Sequence, residues 1–167
     1  MDKTISVYWF VILGIVAVVI VLIVSSFYNA PYDVREVEAR LLANKAADCI
    51  SSQGTLSDLL FIDGTFNEEF RENFLEFCDI DFSVESDWQE TQYYLKVDFF
   101  KVGDTSTPVF SIEKGNLNFI SSCNVQAQKD YKKLAQCQEK RFYSVKNDQQ
   151  FLIQIITAVA KSEKNVR

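Results

Sequence analysis

Histidine is absent from all 167 residues. With it go the histidine general base, the Ser-His and Cys-His nucleophile pairs and the imidazole metal ligand, which excludes most familiar hydrolase and zinc-enzyme sites. Glycine is scarce, 5 residues in all, and nowhere grouped into a phosphate-cradling loop or a nucleophile elbow. The 4 cysteines include no Cys-x-x-Cys pair, which argues against a four-thiolate metal site, and there is no Asn-x-Ser/Thr glycosylation signal. Basic side chains number 17 against 23 acidic ones, a net charge of -6 that argues against nucleic acid as the main partner. No catalytic, cofactor-binding or metal-binding residue is therefore expected.

What the sequence does have is one long uncharged run from Ile5 to Tyr28. At about 1.5 Å of helical rise per residue, roughly 20 residues cross a hydrocarbon core of about 30 Å. Tyr8, Trp9 and Phe10 stand at one end of the run and Phe27, Tyr28 and Tyr32 at the other. Aromatic rings favour the headgroup level, so Tyr8, Trp9, Phe27 and Tyr28 are the candidate membrane-interface residues. The competing reading is a cleaved signal peptide, whose apolar region is shorter and ends at a small-x-small site. The exit, Ser25-Ser26-Phe27-Tyr28-Asn29-Ala30-Pro31, makes no such site, and the span reads as an uncleaved anchor in contact with the lipid bilayer. Gly14 and Ala17 lie three apart, not the four of the familiar helix-pairing motif.

Charge flanking the span is too even to orient it, with Lys3 before and Arg35 and Arg40 after. The even cysteine count in a small acidic domain points to disulfides formed in an oxidising compartment. This places residues 1–4 in the cytoplasm, 5–28 in the cell membrane and 29–167 outside the cell.

Residues 29–167 suffice for one α+β domain. Asp33, with Glu36 three residues on, resembles a helix N-cap and its reciprocal partner. Val34, Val37, Leu41, Leu42 and Ala46 then recur at helical spacing toward Ile50, with Gly54 as the stop. A shorter helix is predicted over 67–77, with Phe70, Phe74 and Phe77 inward and Glu68, Glu69, Glu72 and Glu76 outward. Period-two alternation predicts strands over 80–84 and 93–99, with Lys96 and Asp98 facing away from the core. Further strands are predicted over 108–113 and 117–120, and a hairpin about Asn147-Asp148 with arms 139–146 and 151–161. No internal repeat is evident. The expected fold is an amphipathic helix on an antiparallel sheet.

Four cysteines allow three pairings. Proximity of the predicted elements favours Cys49 with Cys78 and Cys123 with Cys137. Asp79, Asp81, Ser83, Glu85 and Glu90 match the oxygen positions of a calcium loop, yet Val84 stands where that loop needs glycine, so the segment reads as a strand. Glu68, Glu72 and Glu76 share one helix face, and Lys129, Lys132, Lys133, Lys140 and Arg141 form a basic cluster; both patterns read first as solvated surface.

An N-terminal membrane helix, an amphipathic helix and then an antiparallel sheet with disulfides resembles the layout of type IV pilins and pilin-like proteins. Met1-Asp2-Lys3-Thr4 lacks the glycine that closes a pilin leader, and the span lacks the early glutamate. Pro31-Tyr32-Asp33-Val34-Arg35, then Glu38-Ala39 and Cys49, also resembles small single-pass proteins from archaea with reduced genomes. The resemblance implies a membrane-anchored structural or assembly protein at the cell surface, with protein partners or self-association. The rival is an anchored ligand-binding or sensor domain. An anchored enzyme using Glu69 and Glu72 ranks below both.

Overall fold

A computed structural model describes residues 2–29, 33–83, 90–126 and 134–160. The chain divides into two compact units, the first through Asp33 and the second from Val34. The first is helix α1, Asp2–Asn29. Its stretch Val7–Ser26 has a mean hydropathy of 3.2 and no buried residue, the length and composition of a membrane span or of a signal sequence. Ser25 Oγ donates to Leu22 O at 3.1 Å, which satisfies the hydroxyl within the helix.

The second unit is mixed α+β. A six-stranded sheet has the order β1-β2-β7-β8-β5-β6, built from Ser51–Ser52 (β1), Thr55–Leu56 (β2), Tyr93–Lys101 (β5), Phe110–Gly115 (β6), Gln136–Lys146 (β7) and Gln149–Val159 (β8). All its pairings are antiparallel except β2 with β7, where Thr55 meets Val145 in parallel. A separate hairpin pairs β3 (Phe61–Ile62) with β4 (Thr65–Phe66). Asn147 and Asp148, with φ of 49° and 62°, form the turn between β7 and β8. Two left-handed residues match the twist of the flanking strands, so the hairpin is as the sequence predicts.

Helix α2, Arg35–Ile50, covers one face of β7 and β8. It differs from expectation at both its start and its face. Val34, not Asp33, precedes the first turn, and no side chain caps it. Glu36 and Glu38 instead place negative charge at the positive end of the helix dipole. The buried stripe is Ala39, Ala43, Ala46, Ala47 and Ile50 with Arg35, while Val37 and Leu41 face solvent. The reason is proximity: alanines let the helix backbone approach until Thr157 Oγ1, on β8, donates to Ala39 O at 2.8 Å. Larger side chains on that face would hold the helix away.

The helix stops at Ile50 because a hairpin begins there; Gly54 lies in the hairpin turn and not at the helix end. Residues 51–60 and 61–70 then form a tandem repeat that the sequence reading missed. Each unit runs strand, left-handed turn, strand, cap and helical turn. Gln53-Gly54 and Asp63-Gly64 turn with φ of 54° and 82°, and 51° and 80°. Thr55 and Thr65 hydroxyls donate to Ser52 O and Ile62 O at 3.0 and 2.9 Å. The Ser57 and Asn67 amides donate to Ile50 O and Leu60 O, both at 2.9 Å. Ser57 Oγ then caps a 3-10 turn, Asp58–Leu60, and Asn67 Oδ1 caps helix α3, Glu68–Glu72. Leu60 and Phe70 close the two units, each fully buried.

The predicted second helix is split at Asn73 into α3 and α4, Phe74–Phe77. Phe70 and Phe74 are buried; Phe77 is 45% exposed but stacks on Phe70 at 5.5 Å. The strand expected over 80–84 is not formed at 80–83, where Ser83 N donates to Asp81 Oδ1 at 2.7 Å in a side-chain turn that competes with extended pairing. Residue 84 lies outside the described residues. The strand expected over 117–120 is also overturned, because Phe119–Gln126 is helix α5. Gly115 forces that change of direction: its φ is 91°, and a Cβ there would lie 2.2 Å from Tyr93 O.

The main core lies between the sheet and the α2, α3 and α4 layer, with Leu95, Val97, Phe99, Ile153 and Ile155 on the sheet side. Fully burying side chains of this size contributes about 1.5–3 kcal/mol each. A second, smaller cluster under α5 joins Tyr94, Ala135, Ala158 and Ala160 on the opposite face.

Candidate functional site

Three places gather chemistry. The first is the segment bounded by Cys49 and Cys78, which are bonded with Cα atoms 5.5 Å apart and enclose both repeats. Cys123 and Cys137 form the second disulfide, joining α5 to β7 at a Cα separation of 5.4 Å. The two pairings are those expected from proximity. Within the first loop, Asp58 pairs with Lys146 of β7, and this hydrogen bond holds its carboxyl below the usual carboxylate range. Lys146 also sits 5.5 Å from the Phe61 ring.

The second place is the sheet face away from α2. The register puts Cys137, Ala158 and Tyr94 in one row, Glu139, Ile156, Lys96 and Glu113 in the next, and Arg141, Gln154, Asp98 and Ser111 in a third. Tyr94 OH donates to Glu113 Oε1 at 2.5 Å; burial, then the carboxylate, push the phenol upward, so it stays a hydrogen-bond donor. Asp98, 6% exposed, accepts from Ser111 Oγ at 2.6 Å and pairs with Lys96 at 2.8 Å. Gln154 and Arg141 both reach Glu139 Oε1, at 2.8 and 2.5 Å. Each charge meets an opposite charge or a donor, so the face is internally satisfied. The sequence reading placed Lys96 and Asp98 on this side but took it for open solvent; it did not see that Tyr94 and Asp98 are buried.

The third place is the buried Arg35, 1% exposed, whose Nη1 donates to Leu134 O at 2.8 Å. Its spacing with Ala39 and Ala43 is the signal that would have put it on the buried face.

No protein-family model, curated protein or solved structure matches the chain. The geometry is therefore the only guide. Tyr8 and Trp9 are exposed on α1; the side chains of Phe27 and Tyr28 lie outside the described residues. Glu68, Glu69, Glu72 and Glu76 are exposed, and the break at Asn73 divides Glu76 from the other three. Of the calcium-loop positions, Asp79 pairs with Lys45 at 3.1 Å, Asp81 is held by Ser83, and Glu90 accepts from Asn116 at 2.7 Å. Glu85 lies outside the described residues. Lys129, Lys132 and Lys133 of the basic cluster also lie outside; Lys140 donates to Asn44 and Arg141 pairs with Glu139. Among the described residues, no group of three or more Cys, Asp or Glu is placed to hold a metal. Among the described residues, one shallow open groove of about 370 Å³ lies beside Lys101 and Gln150 and another of about 420 Å³ beside Glu90 and Asn116. Neither converges polar groups on an enclosed volume as ligand pockets do.

Proposed function

We propose that the chain is a single-pass, membrane-anchored structural or assembly protein of the cell surface, a pilin-like subunit or an accessory to such a complex, with residues 29–167 outside the cell. The observation that carries this reading is the joining of a fully exposed, membrane-length apolar helix to a domain closed by two disulfides. Disulfides persist in oxidising compartments, which favours an external domain and an internal N-terminus.

The test is the intact mass of protein from its native membrane, with and without reduction before thiol alkylation, followed by sizing after gentle detergent extraction. The full-length mass, alkylated only after reduction, in a particle larger than one chain, is expected. Free thiols in the native sample would reverse the orientation. A mass lacking the N-terminal residues would replace the anchor with a processed leader, and a monodisperse monomer would favour the ligand-binding rival.

A further inference from the structure

Strand β6, Phe110–Gly115, ends the six-stranded sheet; the strand at the other end is the two-residue β1. Asn116 N donates to Tyr93 O at 2.9 Å. Antiparallel bonds alternate along a ladder, so Phe110, Ile112 and Lys114 turn their backbone groups toward β5. Ser111 and Glu113 turn theirs outward, and among the described residues no backbone hydrogen bond reaches these outward groups. Two N–H and two C=O groups, spaced one pleat apart, are the template for an added strand.

Protein edges are commonly guarded by lysine, proline or a bulge. Here proline is absent from 110–115. The guard lysine, Lys114, is folded back so that its Nζ donates to Glu72 O at 2.7 Å. Arg71, the other cation beside this edge, lies over the Phe110 ring and pairs with Glu68 at 2.5 Å. The bulge at Val109, whose N–H shares Phe99 O at 2.7 Å, sits before the open stretch and leaves it straight. Carboxylates stand along the rim: Glu113 on the strand, which also accepts from Tyr94 OH on the face away from α2, Glu72 on the α3 side, and Glu90, tied to Asn116, at its end, all exposed.

We infer that the β6 edge takes an extended basic segment of a partner polypeptide, which adds a strand beside Ser111 and Glu113 and sets lysine or arginine side chains against Glu113. Backbone pairing supplies the register and the carboxylates choose the charge. A second copy of this chain is the poorer occupant, because its own β6 would bring a second acidic α3 toward the first. The inference stands whether or not the chain belongs to a surface assembly.

The test uses the full chain in a neutral detergent and an eight-residue peptide alternating lysine and threonine. Controls are the same peptide N-methylated at every residue, which removes the amide donors on both of its edges, and a glutamate-threonine analogue. Backbone amide exchange over 110–115 is the readout. The lysine peptide should slow exchange of the Ser111 and Glu113 amides at least tenfold, and neither control should. Glu113→Lys should weaken binding at least fivefold; should that variant misfold, E113Q, which keeps the shape, should weaken it at least twofold. Unchanged exchange at millimolar peptide, equal protection by the N-methylated peptide or equal binding of the acidic analogue would each overturn the inference.

Discussion

The orientation of α2 can be decided by one pair of substitutions, Leu41→Ala and Ala43→Leu. Leu41 is 61% exposed and Ala43 1% exposed. Complete burial of a leucine contributes about 1.5–3 kcal/mol, so a side chain mostly in water should cost about 1 kcal/mol or less when truncated. Ala43→Leu adds three carbons between helix and sheet. Overpacking of this kind costs about 1–3 kcal/mol. Lifting the helix also lengthens the bond from Thr157 Oγ1 to Ala39 O, worth about 1 kcal/mol. The total is about 2–4 kcal/mol, or roughly 8–16 °C in Tm for a domain of this size. Urea and thermal unfolding of the full chain in detergent, followed by circular dichroism at a strand wavelength, would measure both. A loss above about 2 kcal/mol for Leu41→Ala, with little change for Ala43→Leu, would refute the alanine face and restore the valine and leucine face that periodicity alone suggests.

Replacing Cys49 and Cys78 together by alanine opens a loop of 29 residues, and replacing Cys123 and Cys137 opens one of 14. Loop-closure entropy puts the losses at about 3.6 and about 3.0 kcal/mol, and calorimetry showing no loss for either pair would contradict the stapling role. Asn67→Ala should cost about 1 kcal/mol and Ser57→Ala less, because Asn67 Oδ1 accepts two amides, at 2.9 and 3.3 Å, where Ser57 Oγ accepts one at 3.4 Å; denaturation midpoints in the reverse order would refute the cap assignment. Asp58 has its folded carboxyl pKa depressed by Lys146, so the pair stabilises above the ordinary carboxylate range and its contribution is lost as pH falls through the folded value, below about 4. Lys146→Met should raise the Asp58 titration midpoint toward the ordinary value in a carboxyl-carbon NMR titration, and an unmoved midpoint would show that the pair does not hold in solution.

The sequence made legible whatever rested on strong local chemistry. The Asn147-Asp148 turn, the alternating β5 and the β-branched β8 were all readable, and the cysteine pairs followed from the helices that Cys49 and Cys78 end and from the excursion that Cys123 and Cys137 close. Legibility failed where two signals competed. Along α2, valine and leucine outrank alanine in any hydropathy pattern, yet close helix-to-sheet approach selects alanine. At 117–120 three apolar residues, Leu117, Phe119 and Ile120, were too few to fix a period, and Gly115 had already redirected the chain. The repeat escaped because only Gly54 and Gly64, and Thr55 and Thr65, are identical at matching positions; the rest is conserved in role, Ser57 with Asn67 as caps and Leu60 with Phe70 as closing side chains. The polar ladder of Tyr94, Glu113, Asp98 and Ser111 was invisible because single-strand alternation says nothing about what the neighbouring strands place opposite.

Each repeat takes up the last carbonyl of the element before it: Ile50 O, at the end of α2, receives Ser57 N, and Leu60 O, at the end of the first repeat, receives Asn67 N. The segment between Cys49 and Cys78 is thus a ratchet with a ten-residue step, whose start and finish are welded together by the disulfide. Inserting a third step would leave every bond within the first two unchanged and, at about 0.3 kcal/mol of added closure entropy, would barely burden the fold. Relatives of this protein should accordingly differ here by whole tens of residues, with the exposed turn tips multiplied and the sheet beneath them unaltered.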